Sequence, residues 1–339
     1  MNRWLFSKPV DLAVFLGSAA LSFALLGLGH ALGILHADTP PWLWLAAVVL
    51  IDVAHVWSTT FRVYTDREEL AKRRALYIGV PIAGYVLGLA LYSEGELVFW
   101  RALAYVAVFH FVRQQWGWVA RYRRKLGETD ARWFDALVIY AATLYPLLHW
   151  HLSPPKRFHW FMAGDFVTTD APLIDRVARV LFFALLAAYI VRSIVRFART
   201  RFWNPGKDIV VLTTAACWYT GIVWLDSDYA FTVTNVIIHG VPYFAIVWFY
   251  TRDRQRTLGA AAKQTLWAPA LPVFLGVLWL VGFGEELVWD RAIWHEPEHR
   301  AFFGSVWEVG AWRGVLVPLL ALPQLTHYVL DGFVWRRAA

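Results

Sequence analysis

The chain has 339 residues, of which 59% are hydrophobic and 17% charged. A soluble domain of that length is typically about half apolar and a quarter charged, so a soluble enzyme, a disordered chain and a secreted disulfide scaffold are excluded. The formal charge of +7 suits basic cytoplasmic loops of a membrane protein and calls for no nucleic-acid partner. The lone Cys217 forbids an internal disulfide and any paired-cysteine metal or redox site.

A membrane-spanning helix needs about 20 mostly apolar residues. Ten segments meet that requirement in chain order: 10–35, 41–64, 76–92, 97–120, 133–152, 173–198, 208–226, 229–250, 268–289 and 309–335. The expectation is an all-α polytopic bundle of about ten spans forming a single integral membrane domain over 1–339. The 21 tryptophans fit aromatic belts at the two interfaces. The first segment is long, lacks a small-residue cleavage site and leads straight into another span, so it reads as a span and not as a signal peptide.

The loops give an independent count. Loops 65–75, 121–132, 199–207 and 251–267 carry 4, 5, 3 and 4 Lys or Arg, while those near 36–40, 93–96 and 227–228 carry none. The longer 153–172 and 290–308 connections carry two each. Basic and non-basic loops alternate, which places both termini in the cytoplasm. The two longer loops mix aromatic and charged residues and are expected on the membrane surface.

Four spans contain an internal histidine within a polar stripe. They are IDVAHVWSTTFRVYTD with His55, VFHFVRQQWGW with His110, NVIIHGVPYF with His239 and LPQLTHYVLDGFVWRR with His327. All four helices run in the same direction. Each histidine lies nine to twelve residues before the cytoplasmic flank that begins at Thr65, Arg121, Thr251 or Arg336. That spread corresponds to about 4.5 Å along a helix, so the four imidazoles share one slab of the membrane. Asp52, His55, Thr59 and Arg62 fall on one helix face, as do Gln324, His327 and Asp331, Thr232, Asn235 and His239, and His110, Arg113, Gln114 and Gly117. Polar stripes of this kind face the bundle interior, because lipid does not solvate them.

A shared metal or haem site formed by His55, His110, His239 and His327 is the leading reading. A proton pathway and a polar packing network are the alternatives. Asp52, Asp331 and Arg113 are the expected supporting residues. The carboxylates either orient ligating imidazoles or pair with Arg62 or Arg113. Arg62 and Arg336 are expected to snorkel to the interface, Glu285 and Glu286 to be solvated at the end of the ninth span, and His149, His151 and His159 to have surface roles, while His295 and His299, in a loop broken by Pro297, make a poor metal site.

Four imidazoles without a thiolate suit Fe(II), with up to two open positions for oxygen chemistry, better than hydrolytic zinc, which more often has three protein ligands. A haem b electron-transfer protein and a proton-coupled transporter are the other classes considered. This pattern of aromatic-rich spans and intramembrane histidines resembles the bacterial Brp/Blh-type membrane carotenoid dioxygenases. The resemblance implies a non-haem iron held by His55, His110, His239 and His327, cleavage of an apolar isoprenoid that enters from the lipid, and an inner-membrane location. That family is expected to carry two ligands on one helix as HxxxH, and no span here has that spacing.

Overall fold

The computed structural model describes residues 3–154, 157–259, 266–295 and 305–335. The helices are α1 (Lys8–Ala31), α2 (Pro41–Tyr64), α3 (Arg74–Ser93), α4 (Glu96–Lys125), α5 (Arg132–Leu152), α6 (Pro172–Thr200), α7 (Pro205–Leu225), α8 (Asp228–Leu258), α9 (Leu271–Trp294), α10 (Arg313–Leu320) and α11 (Leu322–Val334). Among the described residues there is no strand, only an isolated bridge between Asp66 and Leu266.

Local chemistry starts these helices where they begin. Ser7 caps α1 by accepting from the Val10 amide, and Asn204 and Ser227 cap α7 and α8 in the same way. Proline stands in the first turn of α1, α6, α7 and α9, where its missing N–H costs nothing.

Helices occur at all ten expected segments, and seven of them, α1, α2, α3, α6, α7, α8 and α9, are long and apolar enough to cross a membrane. The other three expected spans fall short for identifiable reasons. In α4 the span includes Arg101 and Arg113, and α5 carries Asp135, His149 and Pro146. The last expected span is interrupted at Ala321, which separates α10 from α11. On α6, Leu173, Ile174, Val177, Val180, Leu181 and Val191 all point outward and are more than half exposed. An apolar surface of that kind belongs in hydrocarbon and not in water.

The chain divides into two compact units. Unit 1 comprises residues 1–38, 111–159 and 166–238, and unit 2 comprises 39–110, 160–165 and 239–339. In unit 1, α5 packs on α6 and α7, with Tyr145, Phe182 and Tyr219 in ring contact between them. In unit 2, Phe99, Trp100, Trp289, Ile293, Val317 and Tyr328 belong to one apolar cluster.

At one end of unit 1 a charge network ties α4, α5, α6 and α7 together. Lys207 Nζ bonds Glu128 Oε1 at 2.7 Å and Asp135 Oδ2 at 2.9 Å. Arg123 donates to Asp135 and to the carbonyls of Glu128 and Asp130. Arg192 and Arg196 close the network onto Asp130, Asp135 and Glu128. Burial alone would raise the Glu128 carboxyl, but Lys207, the Asn204 amide and Arg196 beside it hold it below the usual glutamate range. The Glu128 contribution to stability is therefore complete above the unfolded-state pKa of about 4.3 and is lost as pH falls through the lower folded value. Removing one partner of a buried ion pair leaves its counterion unpaired and costs about 3–5 kcal/mol. Thermal unfolding in micelles should therefore show a markedly lower melting temperature for Asp135→Asn at neutral pH. The wild-type melting temperature should stay level from pH 7 to about 5 and fall below pH about 4.3.

Candidate metal centre

Unit 2 brings His55 of α2, His110 of α4, His239 of α8 and His327 of α11 together. Each offers one ring nitrogen, and these four atoms lie within 4.8 Å of one another. All four side chains are buried, at 0 to 2% exposure. The rings meet edge to face: His55 with His239 and His327 at centroid distances of 4.6 and 4.8 Å, and His110 with His239 and His327 at 5.0 and 4.5 Å. The common depth read from the sequence is thus realised as a common point.

The helices can approach this closely because of glycine. A Cβ at Gly240 would lie 2.6 Å from Ile51 Cγ2 and 3.2 Å from the Ile51 carbonyl oxygen. The bare glycine lets α8 carry His239 up against α2. Pro242, two residues on, cannot donate to the Ile238 carbonyl, which loosens the α8 ladder next to the ligand. The α2 backbone is irregular on both sides of His55, with π-helical turns at Trp44–Val53 and Thr60–Tyr64 and a break at Ser58. Such turns are frequent at functional sites.

One ring has a hydrogen-bond partner at Nδ1, and a carboxylate stands beside the Nδ1 of two more. Thr59 Oγ1 lies 2.7 Å from His327 Nδ1. Asp331 Oδ2 is 3.5 Å from His110 Nδ1, and Asp52 Oδ1 is 3.5 Å from His55 Nδ1. An acceptor beside Nδ1 places the ring proton there and turns the Nε2 lone pair inward. The Nε2 atoms of His327 and His110 then face each other at 3.1 Å. At that distance one ring can donate to the other, or a cation can bridge two inward lone pairs. The spacing matches neighbouring ligands on a metal with bonds of about 2.0–2.1 Å, and His55 Nε2 is buried with no hydrogen-bond partner.

Other residues complete the surroundings. The buried Tyr243 ring stands edge-on to His55 at 5.7 Å and to His327 at 4.9 Å, and its hydroxyl lies near Thr59 and Asp331. Tyr328 stacks on His110 at 5.1 Å. Asp331 also accepts from Trp335 Nε1 at 2.8 Å.

Several expectations change. Asp331 stands beside His110 across the helix pair, and not beside His327 on its own helix, because residues four apart are one turn away along the axis while the facing helix is nearer. Arg113 does not join the group: it is exposed and donates to the Tyr140 hydroxyl. Neither arginine pairs with Asp52. Arg62 does not snorkel; it is buried, forms an ion pair with Glu69 at 3.4 Å, donates to the Val334 carbonyl and stacks over Tyr250 and Trp335. Arg336 and His299 lie outside the described residues. Glu285 and Glu286 are not solvated but buried, at 8 and 9% exposure. Glu285 can be buried because it accepts from Trp57 Nε1 at 2.5 Å, Gln324 Nε2 at 2.7 Å and Trp289 Nε1 at 3.4 Å. Gln324 thus serves Glu285 and not the histidines. Away from the centre, His149 bonds Asp175 at 2.8 Å and His151 Nδ1 lies 2.6 Å from the Leu147 carbonyl oxygen.

The residues missed from sequence are Thr59 as a ring partner, Tyr243 and Glu285. Thr59 and Tyr243 stand four residues from His55 and His239, a signal that was present in the spacing. For Glu285 the spacing offered only Trp289, four residues on, while its other two donors, Trp57 and Gln324, come from positions far apart in the chain. Comparison with protein-family models, with curated proteins and with solved structures finds no match to this chain, so any reading of its function rests on the geometry above.

Proposed function

We propose that this is a non-haem iron oxygenase of the membrane, acting on an apolar lipid or isoprenoid held by ten spans with both termini in the cytoplasm. The observation that supports it is the buried group of four imidazoles whose ligand atoms lie within 4.8 Å of one another. Four converging imidazoles occupy positions that a porphyrin would need, which favours a bare ion over haem b. Imidazole suits iron, copper, zinc and nickel alike. Iron is preferred because a four-histidine set leaves up to two positions of an octahedral ion open, whereas catalytic zinc commonly keeps three protein ligands. Bound there, Fe(II) would supply oxygen activation.

The chain's own residues have separable tasks in this reading. Thr59, Asp331 and Asp52 hold the imidazoles of His327, His110 and His55 with their Nε2 atoms inward. Asp52 and Asp331 also supply two negative charges near a divalent ion, which lowers the cost of burying that charge. The aromatic and aliphatic walls exclude water and admit an apolar substrate from the bilayer. The resemblance to Brp/Blh-type dioxygenases points the same way, toward oxidative cleavage of a carotenoid-like double bond in a bacterial inner membrane.

Metal analysis of the purified protein should find about one iron per chain and an absorption spectrum without a Soret band. Alanine at His55, His110, His239 or His327 should each strip the metal, and a variant that keeps full occupancy removes that residue from the ligand set. For the supporting carboxylate, Asp331→Asn should reduce metal retention or activity about 10–100-fold with an unchanged melting temperature. A lowered melting temperature with full metal occupancy assigns Asp331 to packing alone. Orientation can be read by reporter fusions. Those at Leu70, Lys125 and Leu258 should report the cytoplasm, those at Gly95 and Ser227 the outside, and an external reading at Lys125 overturns the topology.

A further inference from the structure

Glu285 stands outside the ligand set, yet its three donors tie it to the helices that carry the rings. Trp57, which donates to Oε2 at 2.5 Å, follows His55 by two residues on α2. Gln324, which donates to Oε1 at 2.7 Å, precedes His327 by three residues on α11, so the two side chains share a helix face. Trp289, the third donor at 3.4 Å, belongs with Tyr328 to one apolar cluster, and Tyr328 stacks on His110 at 5.1 Å. Glu285 comes from α9, whose Gly282 lies against α2. A Cβ at Gly282 would meet the Val49 carbonyl oxygen at 3.3 Å and the Ala54 amide nitrogen at 3.4 Å. The carboxylate is therefore held one turn beyond the place where α9 rests on α2 next to His55.

Two further bonds join α2 directly to α11. Thr59 Oγ1 lies 2.7 Å from His327 Nδ1, and Arg62 donates to the Val334 carbonyl. On α11 the three links thus fall at 324, 327 and 334. Of these three, the Glu285 bridge alone acts on the segment that precedes His327, so it opposes a pivot of α11 about the Thr59–His327 contact. Such a pivot would matter to the rings. His55 and His327 meet at 4.8 Å between centroids with their planes 86° apart, and ligands serve a site only when held to within about 0.5 Å of their places. An ionised carboxylate only accepts hydrogen bonds, which suits a position that receives three N–H groups. Glutamine there would turn its own N–H toward at least one of those donors.

We propose that Glu285 is a positioning residue of the four-histidine centre. By accepting from Trp57 and Gln324 at once, it fixes α2 against α11 and sets the angle at which His55 and His327 face a shared cation. This rests on the metal reading of the centre, but not on iron or on an oxygenase reaction. It acts through its donors and supplies no ligand, since the group of converging ligand atoms consists of the four histidines. The bridge needs one acceptor and one donor between α9 and α11, and either helix can carry either part. Glu285→Gln combined with Gln324→Glu reverses the two while keeping the net charge. The new glutamine Oε1 still accepts from Trp57, and its Nε2 donates to the new carboxylate on α11.

The test loads metal-stripped full-length protein in micelles with Co(II), whose visible absorption reports the arrangement of its ligands. Affinity, spectrum and melting temperature are read together. Glu285→Gln should weaken Co(II) binding about 10–100-fold and shift its visible bands. The Glu285→Gln/Gln324→Glu double variant should recover most of the affinity and the wild-type spectrum. Trp57→Phe keeps an aromatic ring and removes one N–H, so it tests the α2 arm without touching charge. It should show a band shift with a smaller loss of affinity, about 2–10-fold. A Glu285→Gln variant that melts earlier yet binds Co(II) with wild-type affinity and spectrum overturns the proposal and leaves Glu285 a packing residue. So does a folded double variant that binds no better than the single one. Where Glu285→Gln does not fold, Trp57→Phe decides, and wild-type affinity and spectrum there overturn the proposal. A wild-type protein that takes up no Co(II) removes the metal reading itself, and this proposal with it.

Discussion

A nitrogen lone pair or N–H buried in apolar surroundings must be met by something, and unit 2 is arranged around that requirement. Four imidazoles are withdrawn from water. Thr59 bonds the Nδ1 of His327, and Asp331 and Asp52 stand 3.5 Å from the Nδ1 atoms of His110 and His55. A hydrogen bond between facing rings, or a cation held by all four, meets the inward nitrogens. The glycine of α8 lets His239 reach this point against α2, and the α2 backbone is irregular on both sides of His55.

Unit 1 meets the same physics with a different solution. Where charges are buried, at Glu128, Asp135, Lys207 and Arg123, each is surrounded by opposite charge and by amide donors. Farther along α7 the polar groups are neutral. The α6 segment 180–191 carries no charge. Between Asp208 and Asp226 the α7 positions are uncharged, which is how a polypeptide keeps polar groups within hydrocarbon without large desolvation costs.

Much of this was legible in the sequence. Hydropathy gave the helices, because length and apolarity are properties of contiguous residues. Counting residues from each histidine to its basic flank gave a common depth, because the helical rise is constant. The pairing of Asp52 with His55 followed from i, i+3 spacing. What could not be read is pairing across helices. Which face of α4 turns inward decides whether Arg113 or Gln114 is buried, and that depends on how α4 packs. Glu285 looked solvated because it stands near the end of its helix, and only Trp57, Gln324 and Trp289 converging from two other helices and its own explain its burial. The division of the chain at His110 and His239 was equally invisible, since α4 and α8 are continuous across it.

The contact of Gly240 with Ile51 has an evolutionary corollary. The space between α2 and α8 holds one branched side chain and no more, so the sizes at positions 51 and 240 form a sum that drift can redistribute but not enlarge. A homologous chain that gains a methyl at 240 would have to surrender one at 51, and the two positions should covary even while the lipid-facing residues of α3 and α6 change independently. The histidines mark what such a lineage uses, and this pair marks how much freedom it has kept.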